Sequence, residues 1–153
     1  PDVSFALLQS VAEIFERSIT FIVRPTELIG ERALGVYAEM DKGPASAASI
    51  KIPLTRHSVF SDVIQEGRFF YGESDDEVLK EHLFAGIGAP LRPTIILLPM
   101  KSRGKIMTLT YGDFGRKEVP PVQSDVLVIL ANQAGLVVEN ALYRNLLNKA
   151  SHK

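Results

Sequence analysis

Hydrophobic and polar positions along this chain follow two periods, and the switches between them mark the elements. The first period is helical. Phe5, Leu8, Ala12 and Phe15 form one stripe, Leu7, Val11 and Ile14 lie beside it, and Gln9, Glu13 and Glu16 take the wet side. This spacing predicts a helix from Phe5 to about Arg17, with an apolar face broad enough to touch both a sheet and another helix. Ile19-Thr-Phe-Ile-Val-Arg24 is β-branched and aromatic and reads as a strand. Pro25-Thr26-Glu27 turns the chain into a second strand, Leu28 to Ala38, where Gly30 and Gly35 mark bulges or close backbone approaches. After the loop Asp41-Lys-Gly-Pro44 comes a third strand, Ile50-Lys-Ile-Pro-Leu54, whose Pro53 places its end at a sheet edge.

Ser58 to Glu66 reads as a short helix closed by Gly67. Arg68-Phe-Phe-Tyr71 is extended. Ser74-Asp-Asp-Glu77 has the capping-box pattern, with acidic residues where the helix dipole favours them. Its helix is expected to reach about Phe84, with Gly86, Gly88 and Pro90 ending it. Thr94 to Met100 and Lys105 to Tyr111 are two strands joined by a tight turn at Lys101-Ser-Arg-Gly104.

The stretch from Val122 to Leu147 follows Pro120-Pro121 and contains no proline, so it reads as one long helix of about 39 Å. Leu127, Leu130, Ala131, Ala134, Val137, Val138, Ala141 and Leu142 suit packing on a sheet. A second stripe alternates steps of four and three: Val122, Val126, Ile129, Gln133, Leu136, Asn140, Tyr143 and Leu147. That is a heptad seam, and polar residues within it, here Gln133 and Asn140, lower stability but set register and partner number. The seam predicts a dimer built on Val126, Ile129, Gln133, Leu136, Asn140, Tyr143 and Leu147. A single wide core face with polar edges would leave the same pattern.

The order of elements is an α+β arrangement with a largely antiparallel sheet. At 153 residues the chain is of single-domain size, expected over residues 1–149 with a short tail at 150–153. Pro1 at the start and the polar Lys149-Ala-Ser-His-Lys153 are what a piece excised from a longer protein would show. A formal net charge of −1 without blocks of like charge speaks against a nucleic-acid partner held by phosphate contacts. The absence of cysteine excludes disulfides, thiolate metal sites and a cysteine nucleophile, and suits a cytoplasmic protein. Runs such as Val126-Leu-Val-Ile-Leu-Ala131 are too short to cross a membrane.

Three strings in this order resemble the GAF domain family: Ile52-Pro-Leu54; Leu98-Pro-Met100 with Gly104 and Tyr111-Gly-Asp113; and Gln133-Ala-Gly-Leu-Val-Val-Glu-Asn-Ala141. The likeness spans essentially the whole chain and is nearest to GAF-like modules of bacterial response-regulator and related signalling proteins. It implies a central antiparallel sheet of about six strands, with the N- and C-terminal helices on one face, often forming a dimer. The resemblance thus implies that the first helix joins the dimer, with Leu8 and Phe15 as its candidates. Short helices from the insertion between the third strand and the hairpin, here Thr55 to Thr94, would cover the other face and enclose a small-molecule pocket in ligand-binding members. The lack of cysteine excludes a covalent bilin and the cysteine-dependent sulfoxide reductase activity of some members. The spaced Asn-Lys-Phe-Asp-Glu pattern of cyclic-nucleotide binders is not found. The cofactor is therefore unknown.

Within that insertion the candidate pocket residues are Arg56, His57, Phe60, Phe70, Tyr71, His82 and Phe84. Arginine can pair with a carboxylate or phosphate, and histidine can ligate a metal or haem. Equally, Arg56 and His57 can be loop residues, His82 a solvated helix position, and the aromatics, Phe69 included, core filling. Two histidines alone do not close a zinc site. No nucleophile elbow, triad or phosphate loop is present, so no catalytic residue is assigned. The expected function is a non-catalytic sensory module of a bacterial two-component-type protein, a homodimer between flanking signalling domains, with a possible small-molecule ligand. The alternative is an enzyme or a metal or haem domain using the pocket around His57 and His82.

Overall fold

The computed structural model describes residues 3–36 and 47–135. Helix α1 (Val3–Ile14) leads into strands β1 (Arg17–Val23), β2 (Glu27–Leu34) and β3 (Lys51–Pro53). The insertion holds α2 (Val59–Glu66), β4 (Phe70–Glu73), α3 (Glu77–Leu79), a π-wound turn (Lys80–Phe84) and α4 (Ala85–Ile87). The hairpin β5 (Thr94–Ser102) and β6 (Lys105–Asp113) follows, then α5 (Ser124–Gln133). All strand pairs are antiparallel, in one six-stranded sheet of order β3-β2-β1-β6-β5-β4. The fold is α+β, as the order of elements predicts. Pro53 lies on the edge strand β3, where a missing N–H costs no ladder bond.

The period of two sorts the strands' side chains onto two faces. Ile19 and Phe21 of β1, Leu109 and Tyr111 of β6, and Ile95 and Leu97 of β5 face the insertion, packing with Phe60, Leu79, Leu83 and Ile87. Ile96 and Leu98 face the other way, with Leu7, Val11 and Phe15 of α1 and Leu127, Leu130 and Ala131 of α5. Gly112 makes the second contact close. A Cβ there would stand 2.8 Å from Val11 Cγ1 and 3.2 Å from Phe15 Cγ, so the glycine lets α1 sit down on the sheet.

Several boundaries differ from the pattern-based ones. Helix α1 stops at Ile14, not Arg17: the chain bends at Phe15–Glu16, and Arg17 opens β1 because its guanidinium is bound below the sheet's end. Strand β2 ends at Leu34 rather than Ala38, since Gly35 (φ +78°) turns the chain; Ala38 lies outside the described residues. The reciprocal capping box belongs to Ser58 and Ser61 at α2. At α3 the cap is Asp76, whose carboxylate accepts from Leu79 N–H (3.0 Å) and from Val59 N–H (3.1 Å), joining two helix starts. The helical path continues past Phe84 and Gly86 to Ile87, and Gly88 ends it.

The largest correction concerns the C-terminal helix. Among the described residues α5 ends at Gln133, because Gly135 adopts φ +78°, its N–H donating to Asn132 O at 3.0 Å. The absence of proline had suggested continuity, but glycine also terminates helices. Leu136, Asn140, Tyr143 and Leu147 lie outside the described residues.

Candidate functional site

The residues expected around an insertion pocket are dispersed. Arg56 donates to Glu81 across 2.8 Å at the surface, and Glu81 lies 3.8 Å from His82. The hydrogen bond from Arg56, then its charge, lowers the Glu81 pKa. His57 is 84% exposed and pairs with Asp62 at 2.9 Å, so the two histidines answer to different carboxylates. Phe60 and Phe84 are buried in the insertion-side core, with Phe70 packed against it. Tyr71 corrects its assignment: strand β4 alternates, so Tyr71 points to the α1 face, its ring edge-on to Phe15 with centroids 6.2 Å apart. His57 and Phe70 line an open groove of about 500 Å³ bordered by Asp62, Glu73 and Asp76. Among the described residues no group of three metal-ligating side chains comes together.

The seam residues are also divided. Leu8 and Phe15 are 0% and 1% exposed within their own chain, so neither offers surface to a partner. Val126 is packed partly against the α1-side core. Ile129 is 61% exposed. Gln133 reaches across to α1, its Nε2 donating to Ala6 O at 3.5 Å.

A different constellation dominates the interior. Arg17 and Asp113 are register partners at the end of β1 and β6, with side chains 5% and 0% exposed. Arg17 Nε donates to Asp113 Oδ1 and Nη2 to Oδ2, each at 2.8 Å, a bidentate fork. Nη1 donates to Ile87 O at 2.7 Å and Nη2 to Gly88 O at 2.9 Å. The Tyr111 hydroxyl donates to Asp113 Oδ2, and Gly115 N–H donates to Oδ1 at 2.8 Å. Both carboxylate oxygens are thus doubly occupied. Burial, then the Asp113 charge, holds the Tyr111 pKa well above the usual phenol value, so the hydroxyl remains a donor.

This clamp sits where three paths meet. Arg17 follows the turn after α1; Ile87 and Gly88 end the insertion's helical path; Asp113 and Gly115 begin the connection to α5. Two further contacts tighten the junction. Leu91 N–H donates to Gly115 O at 2.7 Å, and Lys117 Nζ pairs with Glu16 at 2.6 Å on the surface. The saturated, closed arrangement holds three segments in one geometry rather than presenting a reactive group. Sequence reasoning missed it. The signals were a lone arginine opening an apolar strand and an aspartate closing another, in Arg17-Ser-Ile-Thr and Tyr111-Gly-Asp113.

No protein-family model and no curated protein matches the chain. Solved structures do. It is similar to the GAF domain/HD domain protein from Geobacter sulfurreducens, at 13% identity and TM-score 0.64, covering 98% of this chain and 90% of that one. It is similar to the GAF domain of a two-component sensor histidine kinase from Bacillus halodurans, at 16% identity and TM-score 0.59, covering 99% and 95%. The second GAF domain of DevS from Mycobacterium smegmatis matches at 12% identity and TM-score 0.58, covering 99% and 97%. The fold is GAF-like. No helix among the described residues is long and apolar enough to cross a membrane.

Proposed function

We propose that this chain is a non-catalytic regulatory module of a bacterial signal-transduction protein, one that couples its insertion to its terminal helices. The observation that carries this reading is the Arg17 clamp, which bonds the end of the insertion to the segments entering and leaving the sheet. A displacement of the Ile87 and Gly88 carbonyls changes the bonding of the same guanidinium that fixes the α1–β1 turn. A packed, hydrogen-bonded junction is the kind of element through which such a shift is passed. The reading is supported by the likeness in fold to the GAF domain of a two-component sensor histidine kinase. In this reading the module lies between flanking signalling domains. A second copy packs along the exposed side of α5 at Ile129, and a small molecule acts through the insertion.

Arg17→Lys tests the coupling, since it keeps the charge but loses the fork. Amide exchange is expected to quicken together at Ala85–Gly88, at the α1–β1 turn and at the start of α5, while the β2–β3 edge is unaffected. Uniform quickening, or change confined to one segment, overturns the relay. Native mass spectrometry of the purified chain is expected to show a dimer; a monomer removes the α5 seam.

A further inference from the structure

At the opposite end of β1 and β6 from the clamp, a cleft of about 520 Å³ opens between the β1–β2 turn, the end of β3, the last turn of α2 and the β5–β6 hairpin. Its size lies in the range of small-molecule sites, roughly 300–1,000 Å³. Three cations, Arg24, Lys101 and Lys105, line it against a single carboxylate, Glu66. Among the described residues none of these cations makes an ion pair, in contrast with Arg17, Arg56 and Arg92. Like charges gathered on one rim repel each other, and a bound anion relieves that repulsion.

The rim cations Arg24, Lys101 and Lys105 are exposed side chains carried on turns that backbone hydrogen bonds fix. Arg24 sits on a tight turn closed by its own N–H to Glu27 O at 2.9 Å, and Leu54 N–H bonds Thr26 O at 2.9 Å. The hairpin reverses through Arg103 (φ 54°) and Gly104 (φ 78°), the left-handed pair of a two-residue turn matched to strand twist. Its two strands bring both lysines into the lining, Lys101 opposite Ile106 and Lys105 opposite Ser102. Gly67, the left-handed cap that closes α2 (φ 69°), lies beside Lys101 Nζ on this rim. The floor is apolar, with Val23, Leu54 and Ile64, all packed against the insertion-side core, joined by Ile106.

We propose that this cleft binds a small organic anion, a phosphate monoester or a dicarboxylate, whose charged end meets Arg24, Lys101 and Lys105 and whose apolar body lies on Val23, Leu54 and Ile64. Arginine supplies a planar fork for two anionic oxygens, and the lysines supply point charges. The site is separate from the groove at His57 and independent of the relay reading. Because its floor is the outer edge of the core, an occupant contacts the layer that supports α2.

The probes are phenyl phosphate and phthalate, with benzyl alcohol as neutral control, added to the whole chain and followed by amide chemical shifts. Saturable shifts are expected at Arg24, Gly67, Gly104 and Ile106 with at least one anion, none with benzyl alcohol, and weakening as salt rises. Arg24→Gln and Lys105→Gln should each weaken binding about tenfold with an unchanged melting midpoint, the loss expected for one charged hydrogen bond. Phosphate monoester and dicarboxylate are distinguished by which probe saturates at lower concentration. No saturable shift with either anion, shifts centred elsewhere, or affinity unmoved in both variants overturns the proposal.

Discussion

The two faces of the central sheet are built from the same strands and differ in kind. On the insertion side, Ile19, Phe21, Ile95, Leu97, Leu109 and Tyr111 are all 0% exposed and meet apolar partners, the one polar contact being the Tyr111 hydroxyl on Asp113. On the helix side the same two central strands present Ser18 and Thr20 from β1 and Thr108 and Thr110 from β6, with Thr20 directly opposite Thr110. Their hydroxyls are buried without hydrogen-bond partners among the described residues. A dry, interlocked face gains free energy from every contact. A buried, unpaired hydroxyl costs about 1–3 kcal/mol and returns little packing. By this measure the helix layer costs less to shift than the apolar packing on the insertion side of the sheet. The clamp stands at the end of the sheet where both layers meet, which suits a device in which a shift at the insertion's end reaches the helices while the sheet stays in place.

The harshest test removes the junction. Asp113→Ala leaves Arg17 charged, buried and without its carboxylate, and should cost about 3–5 kcal/mol in urea unfolding. A cost below about 1 kcal/mol would mean that water reaches the site and no clamp exists. A matched pair then weighs the two faces. Leu97 and Leu98 are neighbours on β5, both 0% exposed, pointing to opposite sides. Leu97→Ala is expected to cost about 3–5 kcal/mol and Leu98→Ala about 2–3, because the softer helix layer can settle into the void. The reverse order would break the comparison.

Smaller effects sharpen it. Tyr111→Phe should cost about 1–2 kcal/mol near neutral pH by removing the hydroxyl bond to Asp113. In the wild-type chain the folded state keeps the Tyr111 proton after the unfolded chain has begun to lose it near its ordinary value of 10.0. The folded state then binds more protons, so stability falls as pH rises above that value, by up to about 1.4 kcal/mol per pH unit. Below it this contribution is fully present. Tyr111→Phe should flatten this alkaline loss in chemical denaturation at a series of pH values; an unchanged slope would assign the loss to other groups. The smallest effect has the opposite sign. Thr20→Val and Thr110→Val should each stabilise by about 1 kcal/mol, with a double variant that departs from additivity because the residues face each other. Destabilisation by either would show that an ordered water satisfies the hydroxyls.

Local physics made most of the fold legible. Helical spacing in Phe5 to Phe15, alternation in Ile19 to Val23, the turn glycine Gly104 and the closing Gly67 each act over a few residues and survive in the folded chain. The α+β order follows from them, and the single six-stranded sheet is what the GAF resemblance implies. The errors cluster where a local signal had two meanings. Gly135 sits in an apolar run with helical spacing, yet its left-handed backbone ends α5. Tyr71 was grouped with its neighbours in sequence, although strand alternation separates them. Arg17 looked like the polar end of an amphipathic helix, since nothing nearby shows that a carboxylate 96 residues away completes it.

The sequence by itself determined the elements, their order and the alternation that gives each strand two faces, because these depend on backbone sterics and on burying apolar area at fixed periods. Only the tertiary structure decided that Arg17, Asp113, Tyr111 and the Ile87 and Gly88 carbonyls share one buried site. It alone brought Arg24, Lys101 and Lys105 to one cleft. A charge is tolerable inside a protein only when distant parts of the chain supply its partners together, and no local pattern records which parts those will be.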